Sequence, residues 1–225
     1  MPRVQSSFLF DLDGTLVDSV YQHVLAWREA LDAEGIPLSV WRIHRKIGMS
    51  GGLFTNMLLR ETGIEISPER SERLRKLHAE AYMRRSAGVR PLPGARELLA
   101  HLTAAKIPWA IATSGRKETA RPVIETLGIG FDSVPLITRD MVKYAKPDPD
   151  LFLTAAERLG VAIETSTVVG DSVWDMLASQ RARALGIGLL SGGYGQEELE
   201  RAGAYRVYED PADLLKHIDE VAARG

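Results

Sequence analysis

Two aspartates one residue apart, Asp11 and Asp13, close an apolar run in Phe8-Leu9-Phe10-Asp11-Leu12-Asp13-Gly14-Thr15-Leu16. Carboxylates spaced in this way could hold a hard divalent cation through oxygen while one of them attacks an electrophile. Late in the chain Thr167-Val168-Val169-Gly170 runs into Asp171 in the same manner, and Asp175 follows four residues on, in the first turn of a helix that begins near Ser172. Between the acids, Trp109-Ala110-Ile111-Ala112 ends in Thr113-Ser114-Gly115, where a hydroxyl and backbone amides suit phosphate contact. Lys146 stands among prolines in Ala145-Lys146-Pro147-Asp148-Pro149. Each piece alone has a plain reading as well: a solvated Asp-Gly turn, a helix N-cap, a loop lysine.

The elements around these residues decide between the two readings. The residues before each acid are apolar, as in strands buried on both faces of a parallel sheet, so the acids fall at strand carboxyl ends, where open α/β sheets bind ligands. Strand patterns near 109–113, 133–137, 167–170, 184–189 and 205–208 alternate with helical patterns near 95–105, 117–127, 149–159, 173–182, 196–202 and 211–223. Such alternation implies an α/β fold with a doubly wound, Rossmann-like parallel sheet. Residues 18–88 show no strand pattern, and Val20, Val24, Trp27 and Leu31 recur at helical spacing. Breaks at Gly35-Ile36-Pro37, Gly48 to Gly52, Gly63 and Ser67-Pro68 divide this stretch into about four helices. Ser67 and Pro68 read as an N-cap and first helical residue. The expected organisation is a core of residues 1–17 and 89–225 with an all-helical domain, 18–88, inserted after the first strand.

In their order, Asp-x-Asp-Gly-Thr, Thr/Ser, Lys and Gly-Asp-x-x-x-x-Asp, these segments resemble the signature of the haloacid dehalogenase-like superfamily over nearly the whole chain. The resemblance implies that Asp11 is the nucleophile that forms an aspartyl-phosphate, and that Asp13 is the general acid/base. It implies that Thr113 and Lys146 hold the transferring phosphoryl oxygens. Mg²⁺ would be bound by the Asp11 carboxylate, the Asp13 backbone carbonyl and Asp171, with Asp175 as ligand or supporting partner. A carboxylate cannot approach a phosphate dianion unless charge is neutralised, and a divalent cation plus a lysine supply that neutralisation. The superfamily's dehalogenases lack the acid at the position of Asp13, so its presence argues against carbon–halogen cleavage.

An insertion directly after the first catalytic strand resembles the subgroup of phosphoglycolate phosphatases and β-phosphoglucomutases, whose caps close over small phosphorylated metabolites. The mutases and phosphonate-cleaving relatives carry an arginine or lysine near the position of Gly51, in Lys46-Ile47-Gly48-Met49-Ser50-Gly51-Gly52. Its absence here favours simple hydrolysis of a phosphomonoester, with a β-phosphoglucomutase-like phosphotransferase and a non-catalytic binding module as alternatives. Lys46, Arg45 and Arg42 are candidate cap cations, read otherwise as solvated helix charges. His23 falls where sugar phosphate mutases and many related phosphatases carry a histidine, and with Ser114, Gly115 and Arg116 it completes the expected substrate contacts. Arg116 could also pair with Glu118 or solvent. Trp27, Trp41 and Trp174 read as packing residues.

Composition sets bounds. With Lys+Arg 28 against Asp+Glu 30 the net charge is -2, and no global basic field points to nucleic acid or an anionic membrane. Hydrophobic residues make up 45% of 225, enough for a real core, and cysteine is absent, which excludes disulfides and thiolate metal sites. No apolar run reaches the length of a membrane span and no leader pattern opens the chain, so a cytoplasmic location is expected. A monomer is the default expectation, with a homodimer as the alternative.

Overall fold

The computed structural model describes residues 6–221. Its six strands are β1 (Ser7–Phe10), β2 (Trp109–Ala112), β3 (Leu136–Ile137), β4 (Ser166–Gly170), β5 (Leu185–Leu189) and β6 (Arg206–Tyr208). They form one all-parallel sheet in the order β3-β2-β1-β4-β5-β6. The strand order reverses between β1 and β4, the neighbouring strands that carry the two acid motifs at their carboxyl ends.

Alternation along β1 assigns the two faces, because successive strand side chains point to opposite sides. Phe8 and Phe10 pack with Leu98, Leu102, Val123 and Leu214, from helices α5 (Ala95–Ala104), α6 (Lys117–Thr126) and α10 (Pro211–Lys216). Leu9 faces the other layer with Leu151, Phe152, Ala155 and Ala178, from α7 (Asp150–Leu159) and α8 (Val173–Ala182). A short helix, α9 (Gln196–Arg201), covers β5 and β6.

Four helices fill the stretch between β1 and α5: α1 (Val20–Ala33), α2 (Val40–His44), α3 (Gly51–Thr62) and α4 (Pro68–Ser86). They enclose an apolar cluster of their own, including Val24, Trp27, Leu31, Ile43, Phe54, Leu58 and Leu74. Local chemistry sets the breaks. Ser50 and Ser67 accept the N–H groups of Leu53 and Arg70, each at 3.3 Å, Pro68 opens α4, and Gly63 ends α3 at φ 73°. The chain leaves the core and re-enters it side by side: Asp18 N–H donates to the Arg90 carbonyl at 2.9 Å and Leu92 N–H to Leu16 at 3.0 Å.

Two elements are shorter than their patterns predict. The expected strand at 133–137 keeps only Leu136–Ile137, because Phe131–Ser133 forms a 3₁₀ turn in which both the N–H and Oγ of Ser133 donate to the Gly130 carbonyl. The expected helix at 211–223 stops at Lys216. There the His217 ring Nδ1 lies 2.9 Å from the Asp213 carbonyl, and a 3₁₀ turn follows over Ile218–Glu220. Residues 222 and 223 of that pattern lie outside the described residues. Among the described residues no helix is long and apolar enough to cross a membrane.

Candidate active site

Asp11 lies one residue past β1. Its N–H donates to the Val169 carbonyl at 2.9 Å, extending the β1–β4 ladder by one step and setting Asp11 beside the end of β4. Asp11, Asp171 and Asp175 are all buried, each with a ligand-capable oxygen within 4.8 Å of the others. Lys146 is 0% exposed and enters this cluster. Its Nζ donates to Asp11 Oδ1, forms an ion pair with Asp175 Oδ1 at 2.8 Å, and lies 5.0 Å from the centre of the Phe152 ring. The other Asp175 oxygen, Oδ2, accepts from Ser172 N–H at 3.1 Å and Ser172 Oγ at 2.5 Å in a capping box that starts α8. Both Asp175 oxygens are thus engaged, and the residue steadies Lys146. Asp171 Oδ1 accepts from Thr15 Oγ at 2.9 Å.

Burial pushes the Asp11 carboxyl up to about 7, against the pull of Lys146. Burial likewise pushes Asp171 well above the usual carboxylate range, with Asp175 and Asp11 adding to the effect. Lys146 loses solvation too, but Asp11 and Asp175 outweigh that and raise it. Three crowded carboxylates facing one ammonium form a hard oxygen donor set in excess negative charge, which fits a divalent cation such as Mg²⁺. Metal-free protein is therefore expected to lose stability as pH rises from 3.8 through about 7. Folded Asp11 keeps its proton where the unfolded chain has already lost it, so deprotonation penalises the folded state. Mg²⁺ would offset that loss, by about 2.7 kcal/mol at roughly 100 times its Kd. Thermal unfolding checks this: Mg²⁺ should raise Tm more at pH 8 than at pH 5, and an unchanged Tm at both would count against the metal site.

Glycines leave room for these acids. A Cβ on Gly192 would fall 1.7 Å from Asp171 Oδ2, and one on Gly14 2.5 Å from the same oxygen. Gly192→Ala is expected to cost about 1–3 kcal/mol by overpacking and to erase the Mg²⁺-dependent rise in Tm, since Asp171 must move. Urea unfolding with and without Mg²⁺ measures both effects.

Asp13 turns the other way. Its Oδ1 accepts from Ser19 Oγ at 2.6 Å and from His23 Nε2 at 3.1 Å, and its Oδ2 lies 3.5 Å from Thr113 Oγ. Burial works to raise its pKa, but His23 and Ser19 outweigh burial and hold the carboxyl below the usual range. His23 in turn stacks on Tyr82 with ring centroids 3.8 Å apart, and its Nδ1 lies 3.1 Å from His78 Nε2. Burial, then the neighbouring His23 ring, keeps His78 well below 6.5. Thr113 Oγ accepts the Gly115 N–H at 2.9 Å, so that amide is engaged, whereas Ser114 Oγ is buried without a hydrogen-bond partner among the described residues.

A cavity of about 390 Å³ separates the sheet edge from the helical insertion; Asp11, Asp13 and Thr113 line it from one side, Trp27, Arg75 and His78 from the other. Ser114, Gly115, Arg116 and His23 line it as well. Arg116 is 51% exposed and lies 3.8 Å from Asp140, rather than pairing with Glu118. Lys46 also lines the cavity. It is only 13% exposed and forms a 2.8 Å ion pair with Glu61, so it is not a solvated helix charge. Arg42 shares Glu61 at 2.6 Å, and Arg45 pairs with Glu198. Trp27 and Trp174 pack as expected. Trp41 does not: it is 63% exposed, with the Arg42 guanidinium 5.0 Å from its ring, because α2 is too short for spacing to single out a buried face. Arg75 and His78 were not singled out in the sequence. The available signal was a run of polar residues at helical spacing, Ser71, Arg75, His78 and Tyr82, within a helix that is polar on most sides.

Comparison with known proteins agrees with this architecture. The chain is 37% identical over 177 residues to hexitol phosphatase A of Escherichia coli (strain K12), a match covering 78% of each protein. It is 29% identical over 220 residues to a phosphoglycolate phosphatase of Rhodospirillum rubrum, covering 95% of this chain and 90% of that one. The crystal structure of a hydrolase from Pseudomonas syringae superposes with a TM-score of 0.96 at 58% identity, covering 97% of this chain and 100% of that one. A family model described as haloacid dehalogenase-like hydrolase matches residues 6–183. With its acid motifs at neighbouring strand ends of a doubly wound sheet, the chain belongs to the haloacid dehalogenase-like hydrolase family.

Proposed function

We propose that the protein is a Mg²⁺-dependent phosphatase that hydrolyses a small phosphomonoester through an aspartyl-phosphate. One observation carries this reading: two acids from one loop face the same cavity in opposite environments. Asp11 is held by Lys146 amid carboxylates, and Asp13 by His23 and Ser19. Two titratable groups set apart in this way suit a nucleophile and an acid/base. The carboxylates of Asp11 and Asp171 and the backbone carbonyl of Asp13 would hold Mg²⁺, which would supply charge neutralisation between nucleophile and phosphoryl group.

In the first step an Asp11 oxygen attacks phosphorus and the bond from phosphorus to the leaving oxygen breaks, while Asp13 gives that oxygen a proton. Before substrate arrives Asp13 is deprotonated, and the phosphate dianion then raises its pKa, so the proton is taken up as substrate binds. In the second step Asp13 removes a proton from water, which attacks the aspartyl-phosphate; inorganic phosphate leaves and Asp11 is regenerated. Lys146, Thr113 and the unpartnered Ser114 hydroxyl hold the phosphoryl oxygens. In this reading residues 18–88 act as a cap domain that excludes water over a core of residues 1–17 and 89–225. The paired entry and exit segments at Asp18–Arg90 and Leu16–Leu92 support a hinge there. The enzyme acts as a monomer in the cytoplasm, where such metabolites are made. Mg²⁺-dependent release of phosphate from a panel of small phosphomonoesters tests the proposal. Isomerisation of a sugar phosphate without net release would replace it with a mutase.

A further inference from the structure

The end of α2 and the turn after it are fastened to the core segments that hold Asp171 and Asp175 in place. His44 Nε2–H donates to the Gly192 carbonyl at 2.8 Å. Its ring stacks on Tyr21, with centroids 5.4 Å apart, and covers Gly193. The Tyr194 hydroxyl donates back across the same boundary to the Arg45 carbonyl at 3.0 Å, while the Arg45 guanidinium lies 4.0 Å from the centre of the Tyr194 ring and pairs with Glu198. Gly48, at φ 96°, then sits over Ser172, the residue that donates to Asp175; a Cβ on Gly48 would fall 2.6 Å from Ser172 Oγ.

Gly192 passes these contacts to Asp171. The space left by its missing side chain is the one that Asp171 Oδ2 occupies, and Gly14 bounds the same oxygen. Ser191 Oγ donates to the Gly14 carbonyl at 2.6 Å and ties the two walls together, while Thr15 Oγ donates to the other oxygen, Oδ1. The carboxylate keeps its direction only while the turn at 190–193 stays in place, and His44 holds that turn from outside. None of His44, Arg45, Gly192 and Tyr194 lines the cavity, so substrate contact does not account for these bonds. A carboxylate already aimed at its cation binds it without a further cost of ordering.

We propose that His44 and Tyr194 are positioning residues for the metal site: by holding the Gly192 turn against Asp171, they make docking of helices α1 to α4 on the core and binding of Mg²⁺ strengthen one another. This rests on the metal site of the phosphatase reading above. The coupling is reciprocal, so the factor by which docking improves Mg²⁺ affinity is the factor by which Mg²⁺ improves docking. Calorimetric titration of the full chain with Mg²⁺ at pH 8 measures the Kd, and hydrogen exchange over residues 44–49, with and without Mg²⁺, follows the docked turn. His44→Leu should raise the Kd by roughly fivefold or more, the size of one hydrogen bond, and abolish the slowing of exchange that Mg²⁺ causes in the native protein. His44→Gln, whose amide can donate to the same carbonyl, should bring the Kd back to within about twofold of native. Tyr194→Phe, which removes a single hydroxyl, should raise it by roughly threefold. A merely structural role would lower Tm in chelator and leave the Kd of the folded protein where it was. A Kd unmoved in folded His44→Leu, or in Tyr194→Phe should His44→Leu not fold, overturns the inference alone. No Mg²⁺ binding by the native protein overturns the Mg²⁺-dependent phosphatase reading and the inference together.

Discussion

Asp11→Asn is expected to lower phosphate release by roughly 10⁴-fold or more while the protein remains folded. The amide keeps the shape of the carboxyl group but is too weak a nucleophile to form the phosphoryl ester. Nothing in the packing should fail, because Lys146 retains its ion pair with Asp175 at 2.8 Å. Stability of the metal-free variant above pH 7 should equal or exceed that of the native protein. Burial has already pushed the Asp11 carboxyl up to about 7, so its ionised form opposes folding there, and asparagine removes that charge. Phosphate release and thermal unfolding on the same preparation separate the two effects. A loss of activity under tenfold with an intact fold would reassign the nucleophile.

The largest effect on stability is expected from Lys146→Met, about 3–5 kcal/mol of destabilisation, measured by urea unfolding in chelator near pH 8. Methionine conserves most of the volume beside Phe152, so the cost isolates charge rather than a void. Without the ammonium, Asp11, Asp171 and Asp175 remain as buried acids with no cationic partner among the described residues. The penalty should shrink as pH falls through about 7, because burial already favours the protonated carboxyls of Asp11 and Asp171 in the folded protein. Adding Asp175→Asn should recover part of the loss, because one of the uncompensated charges goes with it. A cost below about 1 kcal/mol would mean that the cluster is solvated or already protonated. Activity should fall as well, since the same ammonium is assigned to the phosphoryl oxygens.

The acid and hydroxyl positions were legible because a strand buried on both faces is apolar until it ends, so the first polar residues mark the sheet's edge. Asp11, Thr113 and Asp171 all lie just past such ends. The run of helices after the first strand was legible from helical spacing and from its breaks, and the Ser67 cap and Gly63 stand where the pattern put them. Less was visible where the local signal was short or mixed. Trp41 sits in a five-residue helix and is exposed, and β3 is cut to two residues by the turn at Gly130. The face of α4 that meets the cavity could not be read from a helix with charged residues on most sides.

By itself the sequence determined the order of strands and helices, including the run of helices after the first strand, and the residues at the strand ends, because backbone propensity and burial act over a few neighbours at a time. The tertiary structure decided which of those residues meet. It placed Asp171 beside Asp11 through the β1–β4 register, turned Asp13 toward His23, and committed Lys46 to Glu61. It also brought Arg75 over the glycines of α3. These pairings join positions far apart in the chain, and their energies depend on distance and burial that exist only once the helices have packed.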